Sequence, residues 1–208
     1  MGLVLGSVLL LRDGDAPQSR SETEARKLAA HLAPAAEHWG TDFVGVGEAD
    51  DSGEASFGED CVAIPKSDRA GTLASVIRWA ERKKPPALGT QSEARVYENA
   101  ATAEAYIEDI EDGIHRCPTQ QIDKARFEDI RETAALKLSG FDELVAEQGR
   151  WVLGEEGEKL NRVYVALTGR KNEIVLSTLV DGPPGTEEEL HQIAAKTLQG
   201  MQTRLAEQ

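Results

Sequence analysis

Apolar residues recur along this chain with two different periods, and the change of period marks its parts. Ala25, Leu28, Ala29 and Leu32 fall on one helical face, and Ser21 with Glu24 forms a capping-box start ahead of them. Pro34 ends that helix. Phe43, Val44 and Val46 read as a short strand, and Val62-Ala63-Ile64 as a second that Pro65 stops. Leu73, Val76, Ile77 and Ala80 lie at helical spacing, with Asp68 or Thr72 as cap and Pro85-Pro86 as a stop, so a helix is expected there. Ala94 to Tyr97 reads as a strand. A helix from about Asn99 follows, with Ala103, Tyr106, Ile107, Ile110 and Ile114 on one face.

In the second half the period shortens. Ala134, Leu136 and Leu138 alternate with polar neighbours, as in a half-buried strand. Leu144 to Leu153, Val163 to Leu167 and Ile174 to Val180 are rich in β-branched and aromatic residues. Gly169-Arg170-Lys171-Asn172 has the composition of a hairpin turn, with Asn172 suited to a positive φ. After Asp181-Gly182-Pro183-Pro184-Gly185, Thr186 and Glu189 form a second capping box. Leu190, Ile193, Ala194, Thr197, Leu198, Met201 and Leu205 then make an amphipathic helix. Consecutive strands without βαβ alternation predict an α+β fold, an antiparallel sheet packed by helices.

At 208 residues the chain fits one domain, here residues 22–208, preceded by an uncharged apolar run, Gly2 to Leu11, and a polar tether. The run is too short to span a bilayer and lacks the basic n-region of a signal peptide. The expectation for residues 1–21 is the remnant of a signal or membrane anchor plus its tether; the alternative is a buried first strand. The net charge of −14 repels phosphate backbones, which excludes nucleic acid as an expected partner.

Candidate chemistry is sparse. Glu48, Asp50, Ser52, Gly53, Ser56 and Glu59 occupy the positions of a calcium loop, but a glutamate opens it and its flanks are not helical. A solvated acidic loop is the expected reading. The four histidines have no metal-ligand spacing, and two cysteines without a Cys-x-x-Cys do not make a zinc site. Gly45-Val46-Gly47 runs into acids where phosphates would sit, and no nucleophile elbow is present. No metal, cofactor or catalytic residue is therefore expected. The basic stretch Lys66 to Lys84 is read as a solvated helix face, and each of Trp39, Trp79 and Trp151 as packing. Cys61 and Cys117 either pair, implying an oxidising compartment, or stay reduced, implying the cytosol.

The order of these features resembles a family of actinobacterial extracytoplasmic lipoproteins and sensor ectodomains related to the extracellular domain of the mycobacterial serine/threonine kinase H. The matching features are a helix before a first cysteine and a strand leading into the helix Ala100 to His115. Cys117-Pro118 closes that helix, and a strand around Gly140 to Ala146, the hairpin Val163 to Val180 and the C-terminal helix follow. The resemblance spans residues 22–208. It implies a twisted antiparallel sheet, disulfide support, a ligand cleft and no enzymatic activity. Two disulfides are expected in the kinase ectodomain, and this chain can form one.

The expected function is thus a non-enzymatic, extracytoplasmic ligand-binding or sensor-like domain, secreted or anchored. Its partner would be a small molecule or cell-envelope component. A hydrolase with dispersed active-site residues and an acidic cytosolic adaptor are the alternatives. Cys61 and Cys117 are expected to be bonded, with Cα atoms within about 7 Å. Trp151, Tyr164 and Arg170 are the candidate ligand-binding residues, offering stacking, a hydroxyl and a fixed cation from neighbouring strands.

Overall fold

The computed structural model describes residues 20–208, apart from 51–52, 54, 66–68, 135–137, 155 and 157. The expected N-terminal remnant at residues 1–21 thus lies almost wholly outside the described residues. Helix α1 (Glu22–Leu32) starts at the expected capping box: the Ser21 hydroxyl accepts from the Glu24 amide at 3.3 Å, and Glu24 accepts from the Ser21 amide at 3.0 Å. The Ser21 hydroxyl also donates to the Glu24 carboxylate at 2.7 Å, and this bond, with that from the Ser21 amide, holds the Glu24 carboxyl below its ordinary pKa. Strand β1 (Phe43–Asp50) and the small hairpin β2 (Ala55–Phe57) and β3 (Ala63–Pro65) follow. Then come β4 (Thr72–Arg82), β5 (Leu88–Tyr97), helix α2 (Ala100–Arg116), β6 (Gln120–Ile122), β7 (Ala125–Glu132), β8 (Glu143–Leu153), β9 (Lys159–Lys171), β10 (Ile174–Gly182) and helix α3 (Glu187–Ala206).

Among the described residues, eight strands form one antiparallel sheet in the order β1-β4-β5-β10-β9-β8-β7-β6. The fold class is α+β, as the pattern of elements predicts. Helices α1 and α3 cover one face of the sheet, α1 on β4 and β5, α3 on β9 and β10. Their apolar stripes meet Val76, Val96, Val165, Leu167, Leu176 and Val180 in the main core. On α3, Leu190, Ala194, Leu198 and Met201 are fully buried, while Ile193 and Leu205 pack at the margin. Helix α2 lies on the opposite face with a smaller core around Tyr97, Ile107, Ile114, Val145 and Val175. Among the described residues no helix is long and apolar enough to cross a membrane.

Three local expectations need correction. The segment Thr72–Arg82 is a strand, not a helix. Its apolar residues fit both periods, since Ala74, Val76 and Ala80 also alternate, and pairing with β1 and β5 along its length selects the extended form. The basic residues of that stretch are engaged: Arg78 pairs with Glu48, Arg82 with Glu189 and Lys84 with Asp42. The strand expected at Ala134 to Leu138 is displaced. Ala134 and Leu138 lie outside any strand, residues 135–137 are outside the described set, and the strand is β7, whose polar sequence hides it. Finally, Thr186 precedes α3 but forms no capping box; its hydroxyl donates to the Pro183 carbonyl at 2.7 Å. Glu187, Glu188 and Glu189 offset the helix dipole instead.

The hairpin β9–β10 turns at Asn172 with φ 52°, as expected. Asp142 pins it by accepting from the Asn172 amide at 2.8 Å and from Lys171 at 2.7 Å. Cys61 and Cys117 form a disulfide with Cα atoms 5.5 Å apart, joining the β2–β3 hairpin to the end of α2. Arg116 reinforces the junction, donating to the carbonyls of Gly58 and Phe57 at 2.8 and 2.9 Å.

Candidate functional site

Side chains of a strand alternate between faces, so half of every strand in this sheet points away from α1 and α3. That second face carries Ser75, Ile77, Trp79 and Glu81 from β4, and Gln91, Glu93 and Arg95 from β5. Helix α2 covers only part of it. The remainder is concave, holding an upper compartment of about 480 Å³ against α2 and a lower one of about 490 Å³ beyond it. Ile122 borders both, so the two compartments adjoin at that residue on the same face of the sheet, here called the groove.

The lower compartment is lined by residues from all eight strands, from Val46 on β1 to Ile122 on β6. In a flat sheet those edges would stand about 34 Å apart at ~4.8 Å per strand. A shared cavity of this size therefore requires the sheet to curl strongly. Strand β1 contributes through an irregularity between Gly45 and Gly47, which breaks the register with β4 at Val46.

Four aromatic residues line this compartment. Phe127 stacks on Trp151 with centroids 5.5 Å apart and meets Tyr164 edge-on at 5.6 Å, and Trp79 also borders the space. Tyr164 lies against the backbone of its partner Gly149, where an added Cβ would stand 2.7 Å from the ring. Glycine is thus required for the ring to lie there. The indole N–H of Trp79 donates to Gln91 Oε1 at 3.2 Å, and that of Trp151 donates to the Leu153 carbonyl. Three carboxylates, Glu81, Asp123 and Asp181, complete the wall. Asp181 is paired with Arg162, whose guanidinium also reaches the Asp181 and Ala87 carbonyls. Burial, and to a lesser degree the Glu81 charge, raise the Asp181 pKa, while Arg162 opposes them.

The upper compartment is more polar. Tyr106, Asp109, Ile110 and Asp112 descend from α2, Ser56 and Phe57 come from β2, and Thr168 and Glu147 rise from the sheet. Arg69 pairs with Asp109 and Arg116 with Asp112. Under α2, the Arg95 guanidinium lies 5.3 Å from the centre of the Tyr106 ring and pairs with Glu93, which accepts from the Ser75 hydroxyl at 2.9 Å. Glu147 and Tyr164 link the compartments: Glu147 borders the upper one, Tyr164 the lower, and the carboxyl and phenol lie close enough to act on each other's titration. Burial pushes the Glu147 carboxyl up to about 7, an effect the Tyr164 hydroxyl only partly offsets. Burial and the neighbouring Glu147 also raise the Tyr164 phenol.

The structure brings together two of the three candidate ligand-binding residues. Trp151 and Tyr164 share the lower compartment. Arg170 lines neither compartment; it sits at the far end of β9, bonded to Glu143 at 2.6 Å and to the Asn172 carbonyl at 3.2 Å. It serves the hairpin, because strand position 170 lies three pleats from Tyr164. Sequence reasoning misses Phe127, Glu81 and Glu147, and reads Trp79 as packing. Taking Ser75, Ile77, Trp79 and Glu81 with period two exposes a polar and aromatic strand face, the signal for this site. The acidic positions Glu48 and Asp50 lie in β1 and Ser56 in β2, not in a helix-flanked loop. Among the described residues no cluster of three His, Cys, Asp or Glu side chains is placed to hold a metal ion.

The structure is similar to the crystal structure of the extracellular domain of PknH from Mycobacterium tuberculosis. The TM-score is 0.58, covering 90% of this chain and 100% of that one at 13% identity. That likeness is one of fold. No protein-family model and no curated protein matches the sequence, so the wider lipoprotein family in the expected resemblance has no sequence match behind it.

Proposed function

We propose that this chain is an extracytoplasmic, sensor-like domain that binds a small molecule or cell-envelope component in the concave face of its sheet and does no chemistry on it. The observation that carries the reading is the uncovered half of that face: a groove that combines aromatic walls with a few converging polar groups, the composition of a binding site. The disulfide supports an oxidising compartment. The fold likeness to an extracellular domain points the same way.

The test uses the chain's lack of free thiols. Ile122 is exposed and borders both compartments, so Ile122→Cys supplies a single labelling point at the groove. A panel of cationic, neutral and anionic small molecules is screened by ligand-observed NMR. At least one class should bind the unlabelled variant, be displaced once the introduced thiol carries a bulky maleimide, and be recovered unchanged. If no compound binds, or if binding ignores the label, the groove is not a ligand site. The mass of the mature protein from its native host, measured without reductant, tests the compartment: two free thiols there would contradict it.

A further inference from the structure

We propose that the lower compartment takes an organic cation, an alkyl- or arylammonium group, held between the faces of Trp79, Trp151 and Phe127 and the carboxylates of Glu81 and Asp123. The inference names the ligand class of the groove and rests on the reading of that groove as a binding site. Three observations lead to it.

The first is the balance of hydrogen-bonding groups. Both indole N–H groups are already committed, Trp79 to Gln91 and Trp151 to the Leu153 carbonyl. The Thr90 hydroxyl donates to the Ala80 carbonyl at 2.9 Å, and the Tyr164 hydroxyl lies beside the Glu147 carboxyl. Among the lining side chains this leaves the Gln91 amide nitrogen and the Tyr164 hydroxyl as donors, against three carboxylates as acceptors. An anion would find few groups to donate to it, and a sugar could donate its hydroxyls to the carboxylates but would leave their charge uncompensated. An ammonium group needs no donor from the wall, and its charge is met by the carboxylates.

The second is charge. Among the described residues no lysine, arginine or histidine lines the compartment. Arg162, the cation that pairs with the lining Asp181, is occupied by that carboxylate and two carbonyls. Glu81 and Asp123 have no ionic partner among the described residues, and Glu81 already acts on Asp181. The mouth is therefore negative within a chain of net charge −14. A bound cation relieves that repulsion.

The third is the aromatic content. An aromatic face is electron-rich and attracts a weakly hydrated cation, most strongly at tryptophan. Two of the three tryptophans of the chain line this one cavity, with Phe127 stacked on one of them. A small hydrated metal ion has no use for such walls, whereas a substituted ammonium presents both charge and apolar surface to them.

Choline and its neutral isostere 3,3-dimethylbutan-1-ol separate charge from shape. Calorimetric titration of the full chain should give choline a Kd at least ten-fold lower than the alcohol. Trp79 and Trp151 should report the binding by a change in fluorescence. Glu81→Gln with Asp123→Asn, both exposed and outside the core, should weaken choline at least five-fold and leave the alcohol unchanged. Trp151→Leu should weaken choline further. Equal affinities, or a double variant that binds choline like the parent, would overturn the cation. So would a neutral or anionic panel compound that binds, and is displaced by the label at Ile122→Cys, where choline does not bind; the groove would then stand as a binding site for another class. No binding by any compound would remove both readings together.

Discussion

Glu147 shows how one side chain can couple the groove to the stability of the fold. Its carboxyl titrates near 7 in the folded chain instead of near 4.5, because burial penalises the charged form. An unfolded chain gives up this proton first, so stability is full below about pH 4.5, falls as pH rises, and levels off above 7. The accumulated loss is about 3 kcal/mol. Glu147→Gln keeps the site neutral and the Tyr164 hydroxyl supplied with an acceptor. Urea denaturation should find the variant more stable than the parent at pH 8 by about 2–3 kcal/mol and nearly equal to it at about pH 4. A difference independent of pH would place the Glu147 proton elsewhere. Leu198 is the simpler case. It is fully buried on α3 against the main core, and Leu198→Ala should cost about 2–5 kcal/mol in the same measurement. A cost below about 1 kcal/mol would mean that the helix is not anchored through this face.

Among the elements, the β2–β3 hairpin depends most on a covalent tie. It is a two-stranded piece outside the main sheet, too small to be stable alone. The disulfide to α2, the Arg116 bonds and a parallel bridge from Val62 to Gln121 hold it beside the upper compartment. The bond closes a loop with a separation of 56 residues, for which chain entropy gives about 4 kcal/mol before strain. Replacing both cysteines by serine should lower the unfolding free energy by about 2–4 kcal/mol, read from the denaturant midpoint. An unchanged midpoint would show that the arginine bonds suffice. Helices α1, α2 and α3 are legible in the sequence because each carries a local stripe, and α1 also a local cap. Strand β4 is not, since its residues satisfy two periods and only its neighbours choose between them. Strand β7 is hidden for a related reason: its polar sequence has few apolar residues, and it is a strand because β6 and β8 supply its hydrogen bonds.

Across the whole molecule, the division between local and tertiary information follows the two faces of the sheet. The face under α1 and α3 is apolar, and its residues announce themselves by hydrophobic periodicity. The sequence by itself determines the fold class, the amphipathic C-terminal helix, the turn at Asn172 and the presence of two cysteines able to pair. Each of these depends on neighbours in the chain or on composition. The groove depends on curvature, which brings Val46 on β1 and Ile122 on β6, the two edges of the sheet, to one cavity. No local pattern encodes that approach. Trp151 and Tyr164 can be named in advance because aromatic residues on adjacent strands stand out. Arg170 lies six residues from Tyr164 on one strand, about 20 Å at ~3.3 Å per residue, a spacing already present in the sequence; only its place relative to Trp151 depends on strand register. Glu81, Phe127 and Glu147 acquire their roles only when the curled sheet turns them toward a common space, and burial there, a property of the assembled fold, is what raises the Glu147 pKa.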